Sequence, residues 1–317
     1  MSEPVDTGAP QPDPAAATAV TPEATRRSTR GSTRAAGGAP ATSPHNPTPR
    51  AGRNLYAAVG VGVFLGAVVL ASLFIRKEAF VVVATVAAVV ATWELLRAMA
   101  EGDIHPPVVP TFVGAAVIPP VAYAFGPEAL ASAVALTFVA ILVWRSIGST
   151  RDAARDIAGG FFTTLYVPSL VSFAILLVSP DDGPSRIVVF ILTTICSDIG
   201  GYAVGVLFGK HPMAPTVSPK KSWEGFAGSV VSCVLAGSLA VHFLLDGRWW
   251  VGALMGCCVV VAATIGDLCE SMIKRDLGIK DMSNLIPGHG GLMDRLDSLV
   301  IAAPVTWAIL TPFVSVH

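Results

Sequence analysis

The stretch WWVGALMGCCVVVAATIGDLCESMIKRDLGIKDMSNLIPGHGGLMDRLDS, residues 249–298, starts as a membrane span and ends as a cluster of charges. From Trp249 to Ile265 there is no acid or base; from Asp267 to Asp297 acids, bases and one histidine crowd together. Ionisable groups at the end of a span are costly to hold there, which argues that they have a task. On a helix continuing from the span, Asp267, Ser271 and Lys274 fall at i, i+4 and i+7 and share one face. The helical pattern stops after Asp276, and Pro287-Gly288-His289-Gly290-Gly291 reads as a tight, glycine-permitted turn. Asp294, Asp297 and Ser298 open the next apolar run, where carboxylates meet the positive end of a helix. Two helix ends and a re-entrant loop are therefore expected to converge on one polar pocket.

The rest of the chain agrees with a membrane setting. Of its 317 residues 53% are apolar and only 14% charged, with a mean hydropathy of +0.65, whereas soluble domains carry about a quarter charged residues. Apolar runs recur at about 54–75, 79–98, 107–125, 128–144, 157–180, 187–209, 225–245, 249–266 and 298–316. Most approach the ~20 residues that a helix needs to cross ~30 Å of hydrocarbon. The expected fold is all-α, a polytopic integral membrane protein with about nine transmembrane helices. The third run is the weakest crossing, because Pro106, Pro107, Pro110, Pro119 and Pro120 should bend it or make it partial.

Residues 1–52 are rich in Pro, Ala, Thr, Ser and Gly and read as a disordered cytoplasmic tail. Residues 53–180 form the N-terminal group of spans, and 181–317 the C-terminal, catalytic group. With the N-terminus inside and alternating spans, only Arg76, Lys77, Arg186 and Arg248 of the 21 basic residues face outward. That asymmetry places the polar segments 210–224 and 267–297 together on the cytoplasmic side of the cell membrane. The five cysteines lie in or beside apolar runs without paired spacing and read as packing residues.

Two further features stand out. Asp198 lies in the otherwise uncharged run from Ile187 to Gly209, a depth at which a carboxylate is expensive unless it has a role or a hydrogen-bonded neighbour. Around it Gly201, Gly205 and Gly209, four residues apart, leave a face against which another helix can pack closely. In Ser218-Pro-Lys220-Lys221-Ser222-Trp-Glu-Gly225 the lysines read as topology markers if taken alone; flanking Ser218 and Ser222, which can donate to phosphate oxygens, favour a ligand role.

The 27-residue string from Ser271 to Asp297, with Lys274-Arg275, Lys280-Asp281, His289-Gly-Gly and Asp294-Arg-Leu-Asp297, resembles the signature of the phosphatidate cytidylyltransferases, or CDP-diacylglycerol synthases. The segments Asp198-Ile-Gly-Gly-Tyr202 and Ser218 to Gly225 are similar to that family too, so the likeness is detailed from Ser197 to Ser298 and rests on hydropathy alone upstream. The resemblance implies CTP and phosphatidate as substrates, a lipid membrane setting, a homodimer, and Mg²⁺, with a second cation left open, held by Asp267 and Asp294. No nucleic-acid partner is expected. Asp198, Asp267, Asp294, Lys274 and Arg275 are the candidate catalytic residues. Ser218, Lys220, Lys221, Lys280, His289 and Arg295 are candidates for substrate binding. Some of these have competing readings: Arg295 as a structural partner of Asp297 or Glu270, Glu270 with Lys274 as a plain i, i+4 bridge, and His289 as a general base or as a turn donor.

Neither a G-x-x-x-x-G-K-[ST] loop nor a G-x-G-x-x-G turn occurs, so a nucleotide must be held by carboxylates and lysines. For transfer between two anions the obstacle is charge repulsion, which a divalent cation and lysines relieve. Two other functions compete. A transporter or cation channel would also place Asp198 within a span, though no matching broken helices suggest an inverted repeat. Another CTP-dependent membrane lipid enzyme, a polyprenol kinase or CDP-archaeol synthase, is the third reading.

Overall fold

In hydrocarbon every backbone amide and carbonyl must be satisfied within its own segment, and the apolar runs answer by becoming helices. The computed structural model describes residues 52–147, 150–283, 285 and 290–315. Its helices are α1 (Gly52–Ile75), α2 (Lys77–Glu101), α3 (Val108–Phe125), α4 (Pro127–Ser146), α5 (Ala153–Thr164), α6 (Leu170–Val178), α7 (Gly183–Phe208), α8 (Trp223–Leu244), α9 (Trp249–Asp276) and α10 (Met293–Phe313). Among the described residues eight helical stretches are long and apolar enough to cross a membrane, α5 and α6 counting as one, and Gly62–Ile75 within α1 is a shorter apolar helix. These match the nine expected runs in order. Residues 1–51, for which a tail was expected, and the turn residue His289 lie outside the described residues.

The proline-rich third run does not break. Helix α3 is continuous over 18 residues with Pro119 and Pro120 inside it, about 27 Å at 1.5 Å per residue. Pro106 and Pro107 precede it, where the missing amide costs nothing. The irregularity falls instead between α5 and α6, a π-helical turn over Leu165–Ser169. Pro168 there has no amide to offer the Thr164 carbonyl, and the Ser169 hydroxyl donates to that oxygen at 2.7 Å.

Small residues set the packing of the last helices. Helices α7 and α8 meet along Gly200, Gly201 and Gly205 against Gly225 and Gly228; a Cβ on Gly228 would lie 2.8 Å from the Gly200 carbonyl. The Ser229 hydroxyl donates to the Ser197 carbonyl at 2.7 Å across the same seam. Helices α9 and α10 are antiparallel neighbours, with Gly266 against the Asp297 backbone. Cys233 is buried with its thiol on the Thr193 carbonyl, and the cysteines are all free, in line with a packing role. One departure from all-helix was not expected: β1 (Pro212–Ala214) and β2 (Ser218–Ser222) pair antiparallel, Pro212 opposite Ser222, as a small hairpin before α8.

Candidate active site

The hairpin closes one end of the α7–α8 seam. Ser222 ends β2 and caps α8, its hydroxyl accepting from the Gly225 amide at 3.1 Å. Glu224 fastens the hairpin from behind, accepting from the Lys210 and His211 amides at 3.1 and 3.2 Å and lying 2.5 Å from His211 Nδ1. Lys220 and Lys221 are thereby turned over a cavity of about 420 Å³ between α7, α8, α9 and α10. Asp198 and Asp267 line the same cavity, with hydroxyls from Ser197, Ser229 and Ser298. Lys221 forms an ion pair with Asp267, and the Ser271 hydroxyl reaches the same carboxylate at 3.3 Å, as the i, i+4 spacing predicted.

A second cluster lies one turn further along the α9–α10 seam. Lys274 donates to Glu270 at 2.9 Å and to Asp294 at 2.8 Å, so the i, i+4 bridge is real and extends to a second helix. The other oxygen of Asp294 accepts from the Met282 amide at 3.0 Å and the Gly291 amide at 2.7 Å. Glu270 is fully buried, and its Oε2 has no partner among the described residues. Asp297, at the level of Gly266, lies within electrostatic reach of Asp267 and Asp198 in the first cluster and of Lys274 and Glu270 in the second, and so links the two.

The expected residues therefore fall into groups. Asp198, Lys220, Lys221 and Asp267 share the cavity; Lys274 and Asp294 belong to the second cluster; Ser218 starts β2 outside the cavity lining. Arg275, Lys280 and Arg295 are exposed, and Arg295 acts on the charge of Asp198 across the site. One residue escaped the sequence reading. Glu94 of α2 is fully buried and accepts from the Ser283 hydroxyl at 2.5 Å and from the Leu292 and Met293 amides at 2.9 and 2.7 Å. The signal was available: a carboxylate inside an apolar run, the same cue that marked Asp198.

Donor chemistry fits a hard divalent cation. Asp198, Asp267, Glu270, Asp294 and Asp297 offer hard oxygen donors along one seam, with Lys221 on Asp267 and Lys274 on Glu270 and Asp294. Among the described residues no three His, Cys, Asp or Glu side chains form a ready-made metal cage. Mg²⁺ takes one or two carboxylates and completes its octahedron with water and substrate phosphate, so two of these carboxylates would be donors enough for it.

The chain is similar to known proteins over most of its length. A model described as "Cytidylyltransferase family" matches residues 56–313, which includes both clusters and the hairpin. A phosphatidate cytidylyltransferase of Mycobacterium bovis is 41% identical over 281 residues, covering 84% of this chain and 92% of the relative. That of Mycobacterium leprae is 42% identical over 280 residues, 83% of this chain and 90% of its own. The phosphatidate cytidylyltransferase of Haemophilus influenzae is 45% identical over 121 residues, 37% of this chain and 42% of its own length. With a match that runs from α1 to the end of α10, the chain belongs to the cytidylyltransferase family.

Proposed function

We propose that the protein is a phosphatidate cytidylyltransferase of the cell membrane, working on the cytoplasmic side. The phosphate oxygen of phosphatidate attacks the α-phosphorus of CTP, the bond from that phosphorus to the β-phosphate bridging oxygen breaks, and CDP-diacylglycerol and pyrophosphate result. The observation that carries the reading is the convergence of Lys220, Lys221, Asp198 and Asp267 on one cavity, built from the segments that resemble the family. The lysines bind the nucleotide phosphates, offsetting the repulsion between two anionic reactants. No strong general base is needed, because a phosphate monoester is largely ionised near neutral pH. Mg²⁺ would be held by Asp267 and Asp294, where it supplies charge neutralisation for the phosphates and the departing pyrophosphate. Lys274 holds the Asp294 carboxylate in place, and a homodimer is part of the same reading.

The test is pyrophosphate release by detergent-purified protein. Release from CTP only when phosphatidate and Mg²⁺ are both present supports the assignment. Well-folded protein that releases none, or that carries a proton-coupled ion flux in liposomes, would return the transporter reading to first place.

A further inference from the structure

Glu94 sits on α2, in the part of the chain where the family likeness was one of hydropathy alone, yet its three hydrogen bonds among the described residues all go to the segment that leads into α10. Helix α10 has no side-chain cap of its own: Leu292, at its N-cap, is αR and makes no capping bond. Its first amides instead donate to a carboxylate from another helix, Leu292 to Oε1 and Met293 to Oε2. A fully buried carboxylate is expensive unless donors surround it, and here two amides, a hydroxyl and the positive end of a helix do so. The approach depends on Gly291, where a Cβ would lie 2.8 Å from both Glu94 oxygens. The preceding amide, that of Gly291, goes to Asp294. Three successive amides are thus divided between two carboxylates, one from α2 and one from α10 itself.

We propose that Glu94 is a positioning residue of the site: by capping α10 from α2 it fixes the first turn of that helix, and so sets Asp294 against Lys274. It does not line the cavity and acts through the Asp294–Lys274 pair. The inference rests on the cytidylyltransferase reading for its kinetic test and on the hydrogen bonds alone for its structural one.

Glu94→Gln keeps the side chain's size but turns one acceptor into an NH₂ facing the amide donors. Loss of that charged cap should lower kcat at least ~30-fold, with the KM for CTP changed less than ~3-fold and the protein still monodisperse. A residue that merely supported the fold would cost the same in any background. In the Lys274→Met protein, therefore, Glu94→Gln should add less than ~3-fold, because the pair through which it acts is already gone. Losses that multiply in the double mutant, or a kcat within ~3-fold of wild type in the single one, overturn the proposal. Should Glu94→Gln fail to fold, Gly291→Ala, which drives a methyl against the same carboxylate, takes its place in the cycle with the same criteria. If the wild-type protein makes no CDP-diacylglycerol, it is the functional reading that fails. The cap is then decided by amide hydrogen exchange: faster exchange at Leu292 and Met293 in Glu94→Gln supports it, and unchanged exchange removes it.

Discussion

The two polar clusters at the α9–α10 seam differ in how far they are satisfied by the protein itself. Around the cavity, Lys220 is exposed, and Lys221 and Asp267 are about a third exposed. One turn away, Lys274 and Asp294 are largely buried, and their donors and acceptors are spent on one another and on loop amides. Nearly the same side-chain types occur in both. An open cluster can exchange its protein partners for a ligand at little cost, whereas a closed one holds geometry and loses much when a partner is removed. The first is arranged to bind, and the second to position.

Asp267 and Asp294 put that distinction to its hardest test, since the proposed cation joins a residue of each cluster. Asn at either position removes an anionic ligand while keeping its shape. The expected loss of about 4 kcal/mol of charge stabilisation corresponds to roughly a thousandfold in kcat. If both serve one ion, the double mutant should be little worse than either single mutant, as for residues acting as a unit. Losses that multiply, or wild-type Mg²⁺ dependence in Asp294→Asn, would keep the clusters separate and leave Asp294 as a partner of Lys274 alone.

The lysine pair tests the open cluster by itself. Lys220→Ala combined with Lys221→Ala should raise the KM for CTP or lower turnover by ~100-fold or more, two charge-assisted bonds at roughly 1.5 to 3 kcal/mol each. Because Lys221 is the ion-pair partner of Asp267, that change also leaves a carboxylate without its counter-charge. Unchanged kinetics would reduce the pair to a topology marker and the cavity to a packing gap.

Much of this was legible in the chain. Membrane helices are, because each apolar run must satisfy its own backbone; the end of α9 at Asp276 and the start of α10 at Met293 fall where the pattern changed. Asp198, Lys221 and Asp267 were legible from depth and from local motifs. What was missed depends on partners distant in sequence. Glu94 carried the local cue of a carboxylate in an apolar run, but its partner Met293 lies 199 positions away and no local pattern reports that contact. The hairpin was missed because Pro-Met-Ala lacks the alternation of a strand and is held by Glu224 rather than by a buried face. The α3 prolines, expected to bend the third run or make it partial, lie in a helix continuous over 18 residues, and a marked irregularity came instead at Pro168, where the Thr164 carbonyl it leaves free is taken up by the Ser169 hydroxyl.

Glu224 gives the smallest expected effect and the finest test of the contrast. It orients the hairpin, and through it the two lysines, yet its partner His211 is mostly exposed at the surface. Glu224→Gln keeps a carbonyl oxygen for the Lys210 and His211 amides and loses the charge and the oxygen facing His211 Nδ1, a small change at an exposed site. The KM for CTP should therefore rise about two- to fivefold with kcat unchanged, because the lysines bind the nucleotide in ground and transition state alike. Titration of CTP at saturating phosphatidate separates the two constants. A fall in kcat at constant KM would place the hairpin among the positioning elements and erase the division between an open binding cluster and a closed one.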